Sequence, residues 1–152
     1  MGYLVIDIGG TYTKYAVMDQ EAGFYKSGKV LTVQDSQEHF LDMLAEIYEE
    51  NKEMAEGIAI SSAGIIDNEN GYMHTAGSVF CVSELPIARV LERRCHVPVT
   101  VENDARCAAL AEVWKGSLTD CRNAIVILCG TAIGGAVILD REVLHGKDFI
   151  AG

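Results

Sequence analysis

The feature that most constrains the fold of this chain is a pattern of strand, Gly-rich turn and strand that occurs twice. The runs and turns that form it are, in chain order, Tyr3–Ile8, Gly9-Gly10-Thr11, Tyr15–Met18, Ala124–Cys129, Gly130–Gly135 and Ala136–Leu139. Short apolar runs bounded by glycine are typical of hairpin strands. Two hairpins of one kind predict two related domains, the second of which has only begun when the chain reaches Gly152.

Between the hairpins, helical and strand patterns alternate. The predicted elements are a third strand over Gly23–Val33, a helix capped by Ser36 and ending at Asn51, a strand over Gly57–Ser62, a helix capped by Ser83 and ending near Cys95, a strand over Val99–Val101, and a helix over Asp104–Lys115 capped by Asn103 or Asp104. A meander followed by alternating helices and strands predicts an α/β layered domain with a mixed sheet.

Composition excludes several classes of protein. The net charge of −10 is spread along the chain, which argues against broad contact with nucleic-acid phosphates. The start lacks the basic segment of a signal peptide, and no apolar run is long enough to span a membrane. Five cysteines without a CxxC pair fit reduced thiols. We therefore expect a cytoplasmic protein with no nucleic-acid or membrane partner.

The first turn has the residue types of a phosphate cradle. Gly9 and Gly10 let backbone N–H groups approach an anion, Thr11 adds a hydroxyl, and Lys14 adds a positive charge. Asp7, where the first strand ends, is suited to hold a hydrated Mg²⁺ that neutralises phosphates. A plain hairpin turn whose glycines serve only positive φ is the alternative.

The second turn offers Gly130, Thr131, Gly134 and Gly135 just past a buried strand. Alone it is weak evidence for a ligand site. A pair of such turns is what a nucleotide held between two domains requires, one turn on each side of the triphosphate.

A third motif, Glu102-Asn103-Asp104-Ala105, stands where a strand ends and a helix begins. Asn and Asp are good helix caps, so a structural explanation of one of them is available. A carboxylate fixed there could also accept the proton of a hydroxyl that attacks a phosphoryl group. Asp104 is therefore the candidate base, and Asn103 could orient the substrate.

These motifs, together with Ser62-Ala63-Gly64-Ile65-Ile66-Asp67 and the Ala108–Glu112 helix, resemble in order and spacing the ROK family of sugar kinases and repressors, in the actin/hexokinase-like superfamily. The resemblance implies a ribonuclease-H-like domain of the actin-like ATPase fold over residues 1–118. Residues 119–152 would be the incomplete start of a second such domain.

The resemblance also implies roles for single residues, with ATP and Mg²⁺ as cofactors and a hexose or amino sugar as substrate. The implied site residues are Asp7 (with Mg²⁺, through water), Gly9, Gly10, Thr11 and Lys14 in the first phosphate loop, Gly130, Thr131, Gly134 and Gly135 in the second, Gly64 and Asn103 beside the sugar, and Asp104 as the general base. Asp67 is expected to be a turn residue.

Some positions depart from the family pattern. Ser78 stands where the family commonly has Asn, and Ala132 and Ala136 where it usually has Gly. The family's further sugar-binding Glu, Gly-His pair and zinc site are not in this chain, so we expect little or no kinase activity from it alone.

Alternatives remain at this point. The phosphate loop starts at Asp7, with no helix-turn-helix before it, which favours a kinase over a repressor. A non-catalytic sugar-binding or regulatory module is the main alternative, and another actin-like ATPase or an acetate-type kinase is a third. Strands 124–139, if exposed, could pair with a second copy in a homodimer.

Overall fold

The computed structural model describes residues 1–130 and 133–151. Its elements are, in chain order, β1 (Gly2–Ile8), β2 (Tyr12–Met18), β3 (Phe24–Leu31), α1 (Gln37–Glu49), β4 (Ala55–Ser62), β5 (Ile66–Asp67), β6 (Tyr72–Thr75), β7 (Ser83–Leu85), α2 (Ile87–Cys95), β8 (Val99–Asn103), α3 (Asp104–Lys115), β9 (Ala124–Cys129), β10 (Ile133–Leu139) and β11 (Glu142–Val143). The chain divides into two compact units, Met1–Glu102 and Asn103–Gly152. The domain boundary expected at residue 118 stays a prediction.

A five-stranded sheet with the order β3-β2-β1-β4-β8 organises the first unit. β1 and β2 pair antiparallel, as do β2 and β3, whereas β1 and β4 pair parallel. The predicted meander and mixed sheet are therefore confirmed. Leu4, Ile6 and Ile8 are buried while Tyr3 and Asp7 are exposed, because successive side chains of a strand point to opposite faces.

The helices α1 and α2 bury one side each in the core of this unit. Phe40 and Leu44 on α1 and Leu91 on α2 are fully buried with the apolar strand residues. The predicted start of α1 is confirmed, since the Ser36 hydroxyl accepts a 3.1 Å hydrogen bond from the N–H of His39. Within the described residues, none of the helices combines the length and apolar character needed to span a membrane.

The segment between β4 and α2 holds a small sheet that the sequence did not predict. β5, β6 and β7 pair antiparallel in that order. The predicted Ser83 cap is wrong, because Ser83 lies in the strand β7 and pairs with Thr75 of β6. Leu85 is buried in this small sheet and does not belong to a helix. The helix begins only after Pro86, which has no side-chain cap hydrogen bond.

In the second unit, α3 packs on the sheet β11-β10-β9. The small apolar core there comprises Ala109, Ala136, Ile138 and Val143. The predicted hairpin is confirmed, since β9 and β10 pair antiparallel, but β10 begins at Ile133 rather than at Ala136. The far face of the sheet carries Ile125 and Ile127, which are 72% and 67% exposed.

Candidate functional site

The first candidate loop is the turn between β1 and β2. Ile8 pairs with Thr13, and the N–H of Gly9 donates to the Tyr12 carbonyl at 3.2 Å, which leaves Gly9, Gly10 and Thr11 as the turn. Directly behind the turn, Asp7 pairs with Lys14 across the two strands, and both are exposed. The structure thus brings together all the residues predicted for the first phosphate loop.

Close packing, rather than backbone conformation, favours glycine at both of these positions in the turn. Neither lies in the positive-φ region. A Cβ on Gly9 would lie 2.8 Å from the Tyr12 carbonyl oxygen, and one on Gly10 would lie 2.1 Å from the Ser78 hydroxyl oxygen. The alternative that the glycines serve only positive φ is therefore not supported.

The segment that follows β3 donates hydrogen bonds to the backbone carbonyls of the loop. The Thr32 hydroxyl donates to the Gly9 carbonyl at 2.7 Å, the Thr32 N–H donates to the Thr11 carbonyl at 3.0 Å, and the Gln34 side-chain amide donates to the Gly10 carbonyl. Sequence reasoning missed both Thr32 and Gln34, because a Thr and a Gln in a polar connection carry no distinctive signal.

Asp7 has the surroundings expected of a carboxylate that faces solvent. One oxygen accepts a 3.2 Å hydrogen bond from the Ser61 hydroxyl, and the other has no hydrogen-bond partner among the described residues. An exposed carboxylate of this kind fits a hydrated Mg²⁺, which usually keeps several waters and takes one or two carboxylates plus phosphate oxygens. The described part of the chain holds no group of three or more His, Cys, Asp or Glu that could hold a metal ion.

Gly64 lies in a close backbone contact. Its φ is +112°, and a Cβ there would lie 2.3 Å from the Thr75 carbonyl oxygen. The Thr75 hydroxyl accepts a 3.0 Å hydrogen bond from the N–H of Ile65. Because Ser78 follows a few residues later and contacts Gly10, the segment 75–78 touches both Gly64 and the first loop.

Asn103 and Asp104 form the start of α3 in the second unit. The Asn103 side-chain oxygen accepts from the N–H groups of Ala105 and Arg106 at 3.0 and 3.3 Å. One Asp104 oxygen accepts from the Ala105 N–H at 2.9 Å, and the other has no partner among the described residues. The cap interpretation of Asn103 is thus confirmed, and it leaves Asp104 with one carboxylate oxygen available to a ligand.

The second candidate loop follows β9. Gly130 comes directly after this strand and is exposed, and Thr131 lies outside the described residues. Gly134 and Gly135 pair with Leu128 and Ile127 inside β10, so they are strand residues rather than the predicted turn residues. A Cβ on Gly134 would lie 3.5 Å from that of Ala105, which places this glycine beside the start of α3.

Arg106 is a residue that sequence reasoning passed over. It is only 3% exposed, and its guanidinium donates to the carbonyls of His145 and Phe149 at 3.4 and 2.5 Å. Arg106, two residues after Asp104, therefore connects α3 to the segment after β11 through hydrogen bonds. Arginine is rarely buried, so the burial of Arg106 could not be expected from the sequence.

The mixed sheet and its Gly-rich hairpins define an α/β protein of the actin-like ATPase fold. The ROK hexokinase of Thermus thermophilus superposes with a TM-score of 0.83 and 31% identity, covering 98% of this chain and 50% of that one. A ROK glucokinase from Streptomyces griseus, solved with glucose and AMPPNP, superposes with a TM-score of 0.87 and 28% identity, covering 99% of this chain and 49% of that one. The fold expected from the sequence is confirmed.

The sequence comparisons give the family. The model of the ROK family matches residues 3–152. The beta-glucoside kinase of Klebsiella pneumoniae is 32% identical over 152 residues, which cover 100% of this chain and 51% of that protein. The chain belongs to the ROK family, and it spans about half the length of the curated relatives that it matches.

Proposed function

We propose that the protein takes part in ATP-dependent phosphorylation of a hexose or amino sugar, with Asp104 as the general base. The observation that carries this proposal is the Asp104 carboxylate, which is held at the start of α3 by one oxygen while the other has no partner among the described residues. Support comes from relatives named as beta-glucoside kinase, glucokinase and N-acetyl-D-glucosamine kinase.

In the proposed reaction, the sugar hydroxyl gives its proton to Asp104 as its oxygen bonds to the γ-phosphorus of ATP. The bond from that phosphorus to the bridging oxygen breaks, and ADP leaves. Asn103 positions the sugar. Because Gly64 has no side chain, the protein backbone at this residue can come close to the sugar. The phosphates are held by Gly9, Gly10, Thr11 and Lys14 of the first loop. Gly130 and Thr131 of the second loop also hold them, together with Gly134 and Gly135 near the start of β10.

Asp7 would hold Mg²⁺ through water in this scheme. The ion would neutralise charge on the phosphates as the phosphoryl group transfers. The protein's own part is to fix Asp7, which the Ser61 hydroxyl does at 3.2 Å.

Four finer expectations accompany the proposal. The sugar and ATP are the expected small-molecule partners, a homodimer is expected from the exposed apolar strand residues of β9, and a cytoplasmic location is expected from the sequence. Little or no turnover is expected from residues 1–152 alone.

The test is an ATP-coupled phosphorylation screen of the full product of the gene against glucose, mannose, N-acetylglucosamine, N-acetylmannosamine and a β-glucoside, with D104N as the matched variant. We expect turnover of at least one sugar and a loss of about 10²-fold or more in D104N, as for removal of a general base. Glu102→Gln, a neighbouring acid, serves as the control. Sugar binding without turnover of any sugar would favour the non-catalytic module instead.

A further inference from the structure

Three successive carbonyls of the first loop are held from one side. Thr32 contacts the first and third, those of Gly9 and Thr11, and Gln34 contacts the second, that of Gly10. Both residues come from the segment that follows β3. Hydrogen bonds to consecutive carbonyls of a turn fix the orientation of each peptide group in it.

This orientation decides what the loop offers to an anion. A peptide group is planar and trans, so its N–H points away from its C=O. Holding the carbonyls of Gly9 and Gly10 therefore turns the N–H groups of Gly10 and Thr11 to the opposite side. Glycine permits either orientation of a neighbouring peptide group, and the reversed one would present oxygens that repel a phosphate. The residues that select between the two orientations are outside the loop.

The Thr32 hydroxyl is held in place by a hydrogen bond with the buried residue Thr13. It has one proton, which it donates to Gly9, so in its 3.0 Å contact with Thr13 it accepts the proton of the Thr13 hydroxyl. Thr13 is fully buried. A fixed chain of two hydroxyls thus runs from the core to the loop.

We infer that Thr32 and Gln34 are positioning residues for the phosphate donor, which keep the N–H groups of Gly10 and Thr11 directed at its phosphate oxygens. The inference rests on the proposed function of the loop. It assigns to these side chains an effect on phosphate affinity that is separate from any effect on stability.

Four variants separate the two effects. T32S keeps the hydroxyl, and Thr32→Val removes it but leaves the buried Thr13 hydroxyl without its acceptor. The double variant T13V/T32V removes both hydroxyls and so relieves that buried polar group, while the Gly9 carbonyl still lacks its donor. Gln34→Met keeps the approximate shape of Gln34 without its N–H donor.

The measurement is a titration of each ¹⁵N-labelled protein with magnesium tripolyphosphate, following the amide signals of Gly10 and Thr11, alongside its melting temperature. We expect wild type and T32S to agree within about twofold, and T13V/T32V and Gln34→Met to bind about twofold to tenfold more weakly, as for the loss of one hydrogen bond. The melting temperature of T13V/T32V should exceed that of Thr32→Val, while its affinity stays low.

Two outcomes would overturn the inference, and they differ. If wild type binds and the affinity of T13V/T32V returns with its stability, the side chains are merely structural and the phosphate loop stands. If wild type shows no saturable change at Gly10 and Thr11, the loop binds no phosphate and the proposed function loses its support as well.

Discussion

Gly10 and Ser78 are in contact although 68 positions separate them in the sequence. A Cβ on Gly10 would lie 2.1 Å from the Ser78 hydroxyl oxygen and 3.0 Å from its Cβ. A Cβ on Gly10 would therefore require the Ser78 hydroxyl to rotate away and the Ser78 Cβ to shift by a few tenths of an ångström. The room available at this point of the first loop is therefore set by a side chain from the connection after β6.

The first prediction is that Gly10→Ala destabilises the fold by about 1–3 kcal/mol, the usual cost of an overpacked contact. Chemical denaturation monitored by circular dichroism measures it. Adding Ser78→Gly to Gly10→Ala removes the obstructing atoms and should restore most of the loss. Gly134→Ala is the control, because its Cβ would meet Ala105 at an ordinary 3.5 Å. Equal effects of Gly10→Ala and Gly134→Ala would contradict the steric explanation.

At the scale of elements, the turn between β5 and β6 depends on Asp67. Burial alone would raise the pKa of Asp67. Hydrogen bonds from the side chain of Asn70 and from the backbone N–H groups of Asn70 and Glu69, together with the charge of His74, outweigh burial, so the pKa is lowered. A lowered carboxyl pKa contributes stability that is complete above the ordinary Asp pKa and is lost as the pH falls through the lowered value.

The second prediction is that Asp67→Ala lowers the free energy of unfolding by about 1–2 kcal/mol near neutral pH, because the hydrogen bonds of a buried carboxylate are lost. The difference from wild type should shrink below the ordinary Asp pKa of about 3.9. Urea denaturation at a series of pH values checks this. Glu69→Ala, at the exposed neighbouring acid, should show no such dependence, and a gap for Asp67→Ala that is constant down to acid pH would refute the assignment.

The third prediction concerns α3 and the segment after β11. Arg106→Met should lower stability by about 1.5–3 kcal/mol, the range for hydrogen bonds to a charged group. Amide hydrogen exchange of residues 145–149 should accelerate, since two of their carbonyls lose the guanidinium. Arg122→Met is the control, because the Arg122 ion pair with Asp140 is exposed and should contribute little. Unchanged exchange in Arg106→Met would show that the segment is held by other contacts.

The elements that sequence predicted well are those with local signals. The start of α1 at Ser36 and the bounds of α3 follow from caps and helical spacing. The strands β5 and β7 were missed because elements of two or three residues are too short to show a period. Thr32, Gln34 and Ser78 were not connected with the loop, because contacts between distant segments depend on tertiary packing. The residues of the first loop could be predicted because they are adjacent in sequence.

At the scale of the molecule, the second unit has an uncovered apolar surface. Ile125 and Ile127 alternate along β9, and Ile133, which is 82% exposed, pairs with Cys129 on the same strand pair. Residues that alternate along one strand, and their cross-strand neighbours, share a face. Contiguous exposed apolar surface of this kind favours association.

The fourth prediction is that the 152-residue chain associates with itself as its concentration rises, and that Ile127→Lys weakens this association. Sedimentation equilibrium over a range of concentrations measures it. Phe24→Lys replaces a similarly exposed apolar residue of the first unit and serves as the control. Association that responds equally to both substitutions would indicate non-specific contact rather than pairing through β9 and β10.

The contact between Gly10 and Ser78 also restricts how such a protein can change over generations. A bulkier residue at position 78 would collide with the loop at Gly10. Glycine has no side chain, so no smaller residue could replace it to relieve that collision. Useful changes at position 78 should therefore arise together with changes in the segments that flank the loop, and libraries that randomise position 78 alone should return mostly small residues.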